Sequence, residues 1–170
     1  VSKGFNLHET GIIVATYPAV WGLGQLYSGK LADKYCKKKL LFLGMLMQGI
    51  ALLGMIWANS FSWFIVLSSI LGVGTAIVYP TFLAAISDYT HPDQRPKSIG
   101  VFRLWRDLGY AIGAILTGLI ADRFGLVAPI LAIGLLTVAS SLIVRFRMNC
   151  APKSSKQLPD LRFQTKVNLA

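Results

Sequence analysis

Five long apolar runs follow one another along this chain, at about Gly11–Ser28, Leu40–Ala58, Trp63–Ile86, Ile99–Ala121 and Leu126–Val144. Each is roughly 18–24 residues, and at about 1.5 Å per helical residue each reaches across the roughly 30 Å hydrocarbon layer of a bilayer. Four of the five hold no Asp, Glu, Lys, Arg or His; the remaining one carries charge only in its first turns, at Arg103, Arg106 and Asp107. Buried helices of a large soluble protein are also apolar all round. Five in succession, however, leave too little amphipathic chain to cover them, and 14% charged residues is about half the usual supply of a soluble domain. The expected fold is an all-α membrane protein, a polytopic bundle of five transmembrane helices. Residues 1–10 form an extracytoplasmic segment, 11–147 the transmembrane region and 148–170 a basic cytoplasmic tail.

The net charge of +10 might be taken for a nucleic-acid footprint, but the basic residues do not cluster on polar segments of a soluble fold. They fall between the apolar runs, and on one side of them. Lys30, Lys34, Lys37, Lys38 and Lys39 attend the first connection, Arg95, Lys97, Arg103 and Arg106 the third, and six more follow the fifth run. The opposite side has only Lys3 and Arg123. By the positive-inside tendency this puts the start of the chain outside and its tail in the cytoplasm of a plasma (inner) membrane. The partner implied is the lipid bilayer, with no nucleic acid.

Residues 1–10 lack the apolar stretch and cleavage site of a signal peptide. An odd number of preceding helices would bring that polar start to the outer face, so the chain is expected to be the C-terminal part of something larger. Cys36 and Cys150, far apart and without C-x-x-C spacing or a neighbouring His, are expected to be two unremarkable thiols; no metal site and no cofactor is implied. Glycines recur along the runs (Gly22, Gly24, Gly44, Gly49, Gly54, Gly72, Gly74, Gly109, Gly113, Gly118), which suits close packing of helices in lipid. Pro18 and Pro80 fall within runs, where packed neighbours satisfy the freed carbonyls.

The first connection reads Gly29-Lys-Leu-Ala-Asp33-Lys34-Tyr-Cys36-Lys37-Lys38-Lys39. This resembles the cytoplasmic loop signature G-x-L-A-D-R/K-x-G-R/K-R/K of the major facilitator superfamily, with Gly29, Asp33, Lys34, Lys37 and Lys38 matching and Cys36 in place of a glycine. Physically, Gly29 allows close packing of a helix end, Asp33 is an anion placed to meet a helix N-terminus or an arginine, and the lysines rest on inner headgroups. A second stretch, Arg103-Leu-Trp105-Arg106-Asp107-Leu-Gly109-Tyr110-Ala-Ile-Gly113, is similar to the start of the eleventh helix of bacterial members. The resemblance implies that the five runs are the eighth to twelfth helices of a twelve-helix fold, whose N-terminal half and seventh helix are missing here. The family's antiporter signature with Gly-Pro is not reproduced at Gly113-Ala114, and Gly118–Gly125, which copies part of the loop signature on the outer side, reads as a helix end and turn.

The resemblance implies a secondary transporter that moves a small-molecule substrate by alternating access, in uptake or efflux. It places the substrate cavity along the first, third and fourth runs. Tyr17, Trp21 and Gln25, spaced by four, share one face, as do Thr75 and Tyr79, and these are the candidate cavity lining. Arg103, Arg106 and Asp107 are expected to form an inner-gate charge cluster, either a local pair at headgroup level or a latch against the missing half. His8 with Glu9, and His91, are expected to be solvated. No nucleophile elbow, zinc-protease motif or phosphate loop is present, so no enzyme activity is expected. The alternative is a non-transporting membrane scaffold or assembly protein, or an inactive remnant of a transporter.

Overall fold

The computed structural model describes residues 4–150 of the chain, so most of the expected tail lies outside the described residues. Five helices account for nearly all of them: α1 Leu7–Lys34, α2 Lys37–Trp57, α3 Phe61–Tyr89, α4 Arg95–Phe124 and α5 Val127–Arg147, with a single 3-10 turn at Pro92–Gln94 before α4. Their connections are so short that successive helices must run antiparallel. The basic ends of α1, α2, α4 and α5 therefore gather at one end of the bundle, together with the end of α3. Four of the helices, α2 to α5, are long and apolar enough to cross a membrane. α1 has the length, but its run is diluted by Thr, Tyr, Pro, Trp, Gln and Ser, and its ends carry Glu9, Lys30, Asp33 and Lys34.

Each helix outruns, at its basic end, the apolar segment that announced it. α1 starts inside the polar opening stretch, because Asn6 and Glu9 close a capping box: Glu9 N–H donates to Asn6 Oδ1 (2.8 Å) and Asn6 N–H to Glu9 Oε2 (3.0 Å). Glu9 is thus a cap rather than an idle solvated acid. Ser60 caps α3 through Trp63 N–H. Gly125, at φ 83°, ends α4 in the left-handed region that favours glycine, and its N–H donates to Ala121 O (2.9 Å). That makes Gly118–Gly125 the helix end and turn its sequence suggested.

Packing is uneven. α3 lies between α1 and α2, α2 in turn packs on α5, and α4 only grazes α3 and α5. The close interfaces run through glycines. A Cβ on Gly72 would stand 2.8 Å from the Tyr17 carbonyl of α1, one on Gly74 2.8 Å from the Gly44 carbonyl of α2, and one on Gly49 2.5 Å from Val138 of α5. Small residues here bring backbones together where burying apolar surface gains little, because lipid is as apolar as the helix face. Gly22, Gly29, Gly109, Gly113 and Gly118 have nothing near them, so the packing role expected for them is not filled within this chain. No residue of α4 is buried. Large apolar side chains such as Leu23, Ile50, Trp63, Leu104, Ile115 and Leu136 cover the exterior, as they do on a bundle whose solvent is hydrocarbon.

Cys36 and Cys150 are joined, with Cα atoms 5.8 Å apart. The bond ties the two-residue connection between α1 and α2 to the chain just beyond α5, and it corrects the expectation of two independent thiols. The spacing in sequence gave no hint because the pair is made by α2 packing along α5, which brings the start of one beside the end of the other.

Candidate functional site

Apart from Ser and Thr hydroxyls bonded within their own helices, polar side chains gather in two clusters between helices. Gln48, Tyr79 and Arg106 each lie about three turns in from the basic end of their helices, roughly 15–17 Å along the axis, and Trp21 and Thr75 lie about a turn deeper. The first cluster centres on Thr75. Its hydroxyl accepts from Gln48 Nε2 (2.8 Å) and from Tyr17 Oη (3.4 Å), and donates to the Leu71 carbonyl one turn earlier in α3 (2.9 Å). One oxygen so joins α1, α2 and α3. The Tyr17 ring stacks on Trp21, centroids 6.1 Å apart, and the Trp21 indole N–H is buried with no acceptor among the described residues.

One turn further along the same face of α3, Tyr79 begins the second cluster. Arg106 of α4 donates from Nη1 to Tyr79 Oη (3.0 Å) and lies over its ring at 5.6 Å from the centroid. Its Nε and Nη2 both reach Asp107 Oδ1, each at 2.8 Å. Asp107 therefore pairs with its immediate neighbour Arg106, not with Arg103 at the helical spacing of four. Arg103 is exposed, with no acidic partner among the described residues. Because α4 begins at Arg95, Arg103 and Arg106 stand roughly two and three turns inside it. The cluster expected at headgroup level is thus carried toward the middle of the bundle.

The structure brings together Tyr17, Trp21 and Thr75, and separately Tyr79, Arg106 and Asp107. It leaves Gln25 exposed on α1. Gln48 was not among the expected lining residues, although it is the one polar side chain in the run from Leu40 to Trp57. The loop signature is mostly not a loop. Gly29, Asp33 and Lys34 lie in the last turns of α1, Lys37 and Lys38 in the first turn of α2, and only Tyr35 and Cys36 connect them. Gly29 packs against nothing. Lys37 does more than rest on lipid: its ammonium pairs with the Asp88 carboxylate and donates to the Ala84 carbonyl (3.3 Å), pinning the start of α2 to the end of α3. Lys34 lies over the ring of Tyr35.

The described residues thus form an apolar helical bundle with two polar clusters between its helices and a lysine-rich end. Residues 2–167, almost the whole chain, match the family model of the Major Facilitator Superfamily. The chain belongs to the major facilitator superfamily. Among its relatives, an uncharacterized MFS-type transporter of Methanocaldococcus jannaschii is 26% identical over 79% of this chain and 35% of its own length. A methyl viologen resistance protein of Salmonella typhimurium is 29% identical over 73% of the chain and 25% of the relative. A 4-hydroxybenzoate transporter of Pseudomonas aeruginosa is 28% identical over 79% and 30%. The chain thus spans about a quarter to a third of these relatives. As a superfamily member it is an integral membrane protein.

Proposed function

We propose that this chain forms the last five helices of a secondary transporter that works by alternating access, and that its two polar clusters line the solute path. The observation that carries this is the pair of hydrogen-bonded polar clusters, Tyr17–Gln48–Thr75 and Tyr79–Arg106, contributed by four largely apolar helices well inside their ends. Polar and ionisable groups are costly in a membrane interior and mark pathways by default. The thin packing of α4, with Gly109 and Gly113 facing open space, further supports a bundle that completes itself against a second helical half. On this reading the lysine-rich end faces the cytoplasm of a plasma membrane, and Asp33 acts on the same side as the inner-gate charge cluster of Arg103, Arg106 and Asp107.

The residues also favour a kind of solute. Arg103 and Arg106 outnumber the single carboxylate, Asp107, at that depth. A site with an excess cation in low dielectric attracts an anionic group and repels a cationic one. 4-Hydroxybenzoate and methyl viologen, named for two relatives and opposite in charge, make an informative pair of probes. The polypeptide encoded by the whole reading frame, reconstituted in liposomes, should take up 4-hydroxybenzoate. Arg106→Gln should reduce that uptake at least tenfold, with insertion unchanged. Accumulation of methyl viologen but not the acid would reverse the charge assignment. No flux of either probe, with or without a proton gradient, would count against the transport reading.

A further inference from the structure

A cleft of about 640 Å³ opens between the last turns of α3 and the first turns of α4, on the basic side of the Tyr79–Arg106 pair. Gln94, Lys97 and Ser98 stand around it at the basic end of the bundle, and Ile86, Val101 and Phe102 provide its apolar surface. Phe102 is steadied by Phe82 of α3, the ring centroids 5.9 Å apart. Along α4 the lining changes from polar to apolar within two turns, in the direction that runs from headgroup to hydrocarbon. Lys97 has no acidic partner among the described residues, and neither does Arg95 beside it. The acids that could have neutralised them are engaged elsewhere, Asp88 with Lys37 and Asp93 at 3.3 Å from His91. The Gln94 side chain makes no capping bond although it precedes α4.

We infer that this cleft binds an anionic phospholipid, its phosphate at Lys97 and Ser98 and the root of an acyl chain against Ile86, Val101 and Phe102. A soluble anion would use the cation and leave the apolar wall wet. An uncharged lipid would use the wall and leave the cation unpaired. A phospholipid with net negative charge satisfies both, and basic pockets between helices at the headgroup level are suited to such groups. The charge excess also fits: a cation at an anionic surface enriches the lipid about fivefold, the order expected for one lysine.

Tryptophan quenching by brominated lipid tests this in the full chain. Trp105 projects from α4 one turn beyond Val101, so a protein with Phe at Trp21, Trp57 and Trp63 reports on lipid beside the cleft. In phosphatidylcholine bilayers containing a minor fraction of brominated lipid, brominated phosphatidylglycerol should quench Trp105 several-fold more effectively than brominated phosphatidylcholine. Lys97→Gln should bring the two to equality, and Val101→Trp, read as loss of the preference by lipid bound on native mass spectrometry, should do so without touching the charge. Equal quenching in the parent protein overturns the proposal. So does a preference that survives Lys97→Gln, or one abolished by excess inorganic phosphate, which would make the ligand a free anion.

Discussion

On Thr75 a single hydroxyl serves three helices. Replacing it with Val keeps the shape but leaves Gln48 and Tyr17 with donors and no acceptor. In lipid such groups find partial substitutes, so the cost should be about 1 kcal/mol, up to ~2. Thermal unfolding in detergent should therefore show Thr75→Val less stable than Thr75→Ser, which keeps the oxygen; equal midpoints would mean the three-helix junction contributes nothing. Trp21 presents the reverse case. Its buried N–H has no partner among the described residues, and an unsatisfied buried donor costs roughly 1–3 kcal/mol. Trp21→Phe, which removes the donor and keeps an aromatic ring beside Tyr17, should be neutral or stabilising. A clear loss of stability would mean the donor is paired in the folded protein. Of the residues in these clusters, Tyr17, Trp21, Thr75 and Tyr79 could be read from their spacing of four. Gln48 could have been read from its isolation in an apolar run. Arg106 was legible as a charge but not as a partner of Tyr79, because that contact depends on how α4 leans on α3.

At the scale of the helices, two kinds of glycine separate. Gly74 meets the backbone of α2, and Gly109 meets nothing. Gly74→Val drives a branched side chain into the Gly44 carbonyl and should destabilise the α2–α3 pair by about 1–3 kcal/mol, as overpacking does. Gly109→Ala should be neutral or gain up to about 1 kcal/mol from helix propensity. Melting of both variants in the same detergent decides it, and a destabilised Gly109→Ala would show that α4 is packed more tightly than described. Hydropathy located all five helices yet set their ends too short. It reports the hydrocarbon slab, whereas the hydrogen-bonded helix continues through the headgroup layer on residues such as Asp33, Asp88 and Arg95. For that reason the loop signature reads in sequence as a connection and the α4 charges as a helix start, whereas both lie within helices. The antiparallel order was legible because connections so short leave no alternative. The pairing of α2 with α5 was not, since it depends on Gly49 and Gly134 meeting across helices distant in sequence.

For the whole molecule, sidedness is the property most open to direct measurement. Single cysteines placed near Ser60 and Gly125, in a background lacking Cys36 and Cys150, should react with impermeant maleimide in intact cells. One at Lys38 or Lys97 should react only after permeabilisation. Labelling of Lys38 in intact cells would invert the bundle and remove Asp33 from the inner side. In the proposed orientation Cys36 and Cys150 face a reducing compartment, where such bonds open, and the oxidised form is the one to study in isolated protein. In that form the bond spans a sequence separation of 114 residues and turns α2, α3, α4 and α5 into a closed ring, with α1 as a free arm. A ring must be cut twice before it yields two pieces. One tryptic cut at Lys97 or Arg123 would leave the oxidised chain running as a single band on a gel, and a thiol reductant added afterwards would release the fragments. Every connection on the far side of the bundle lies within that ring.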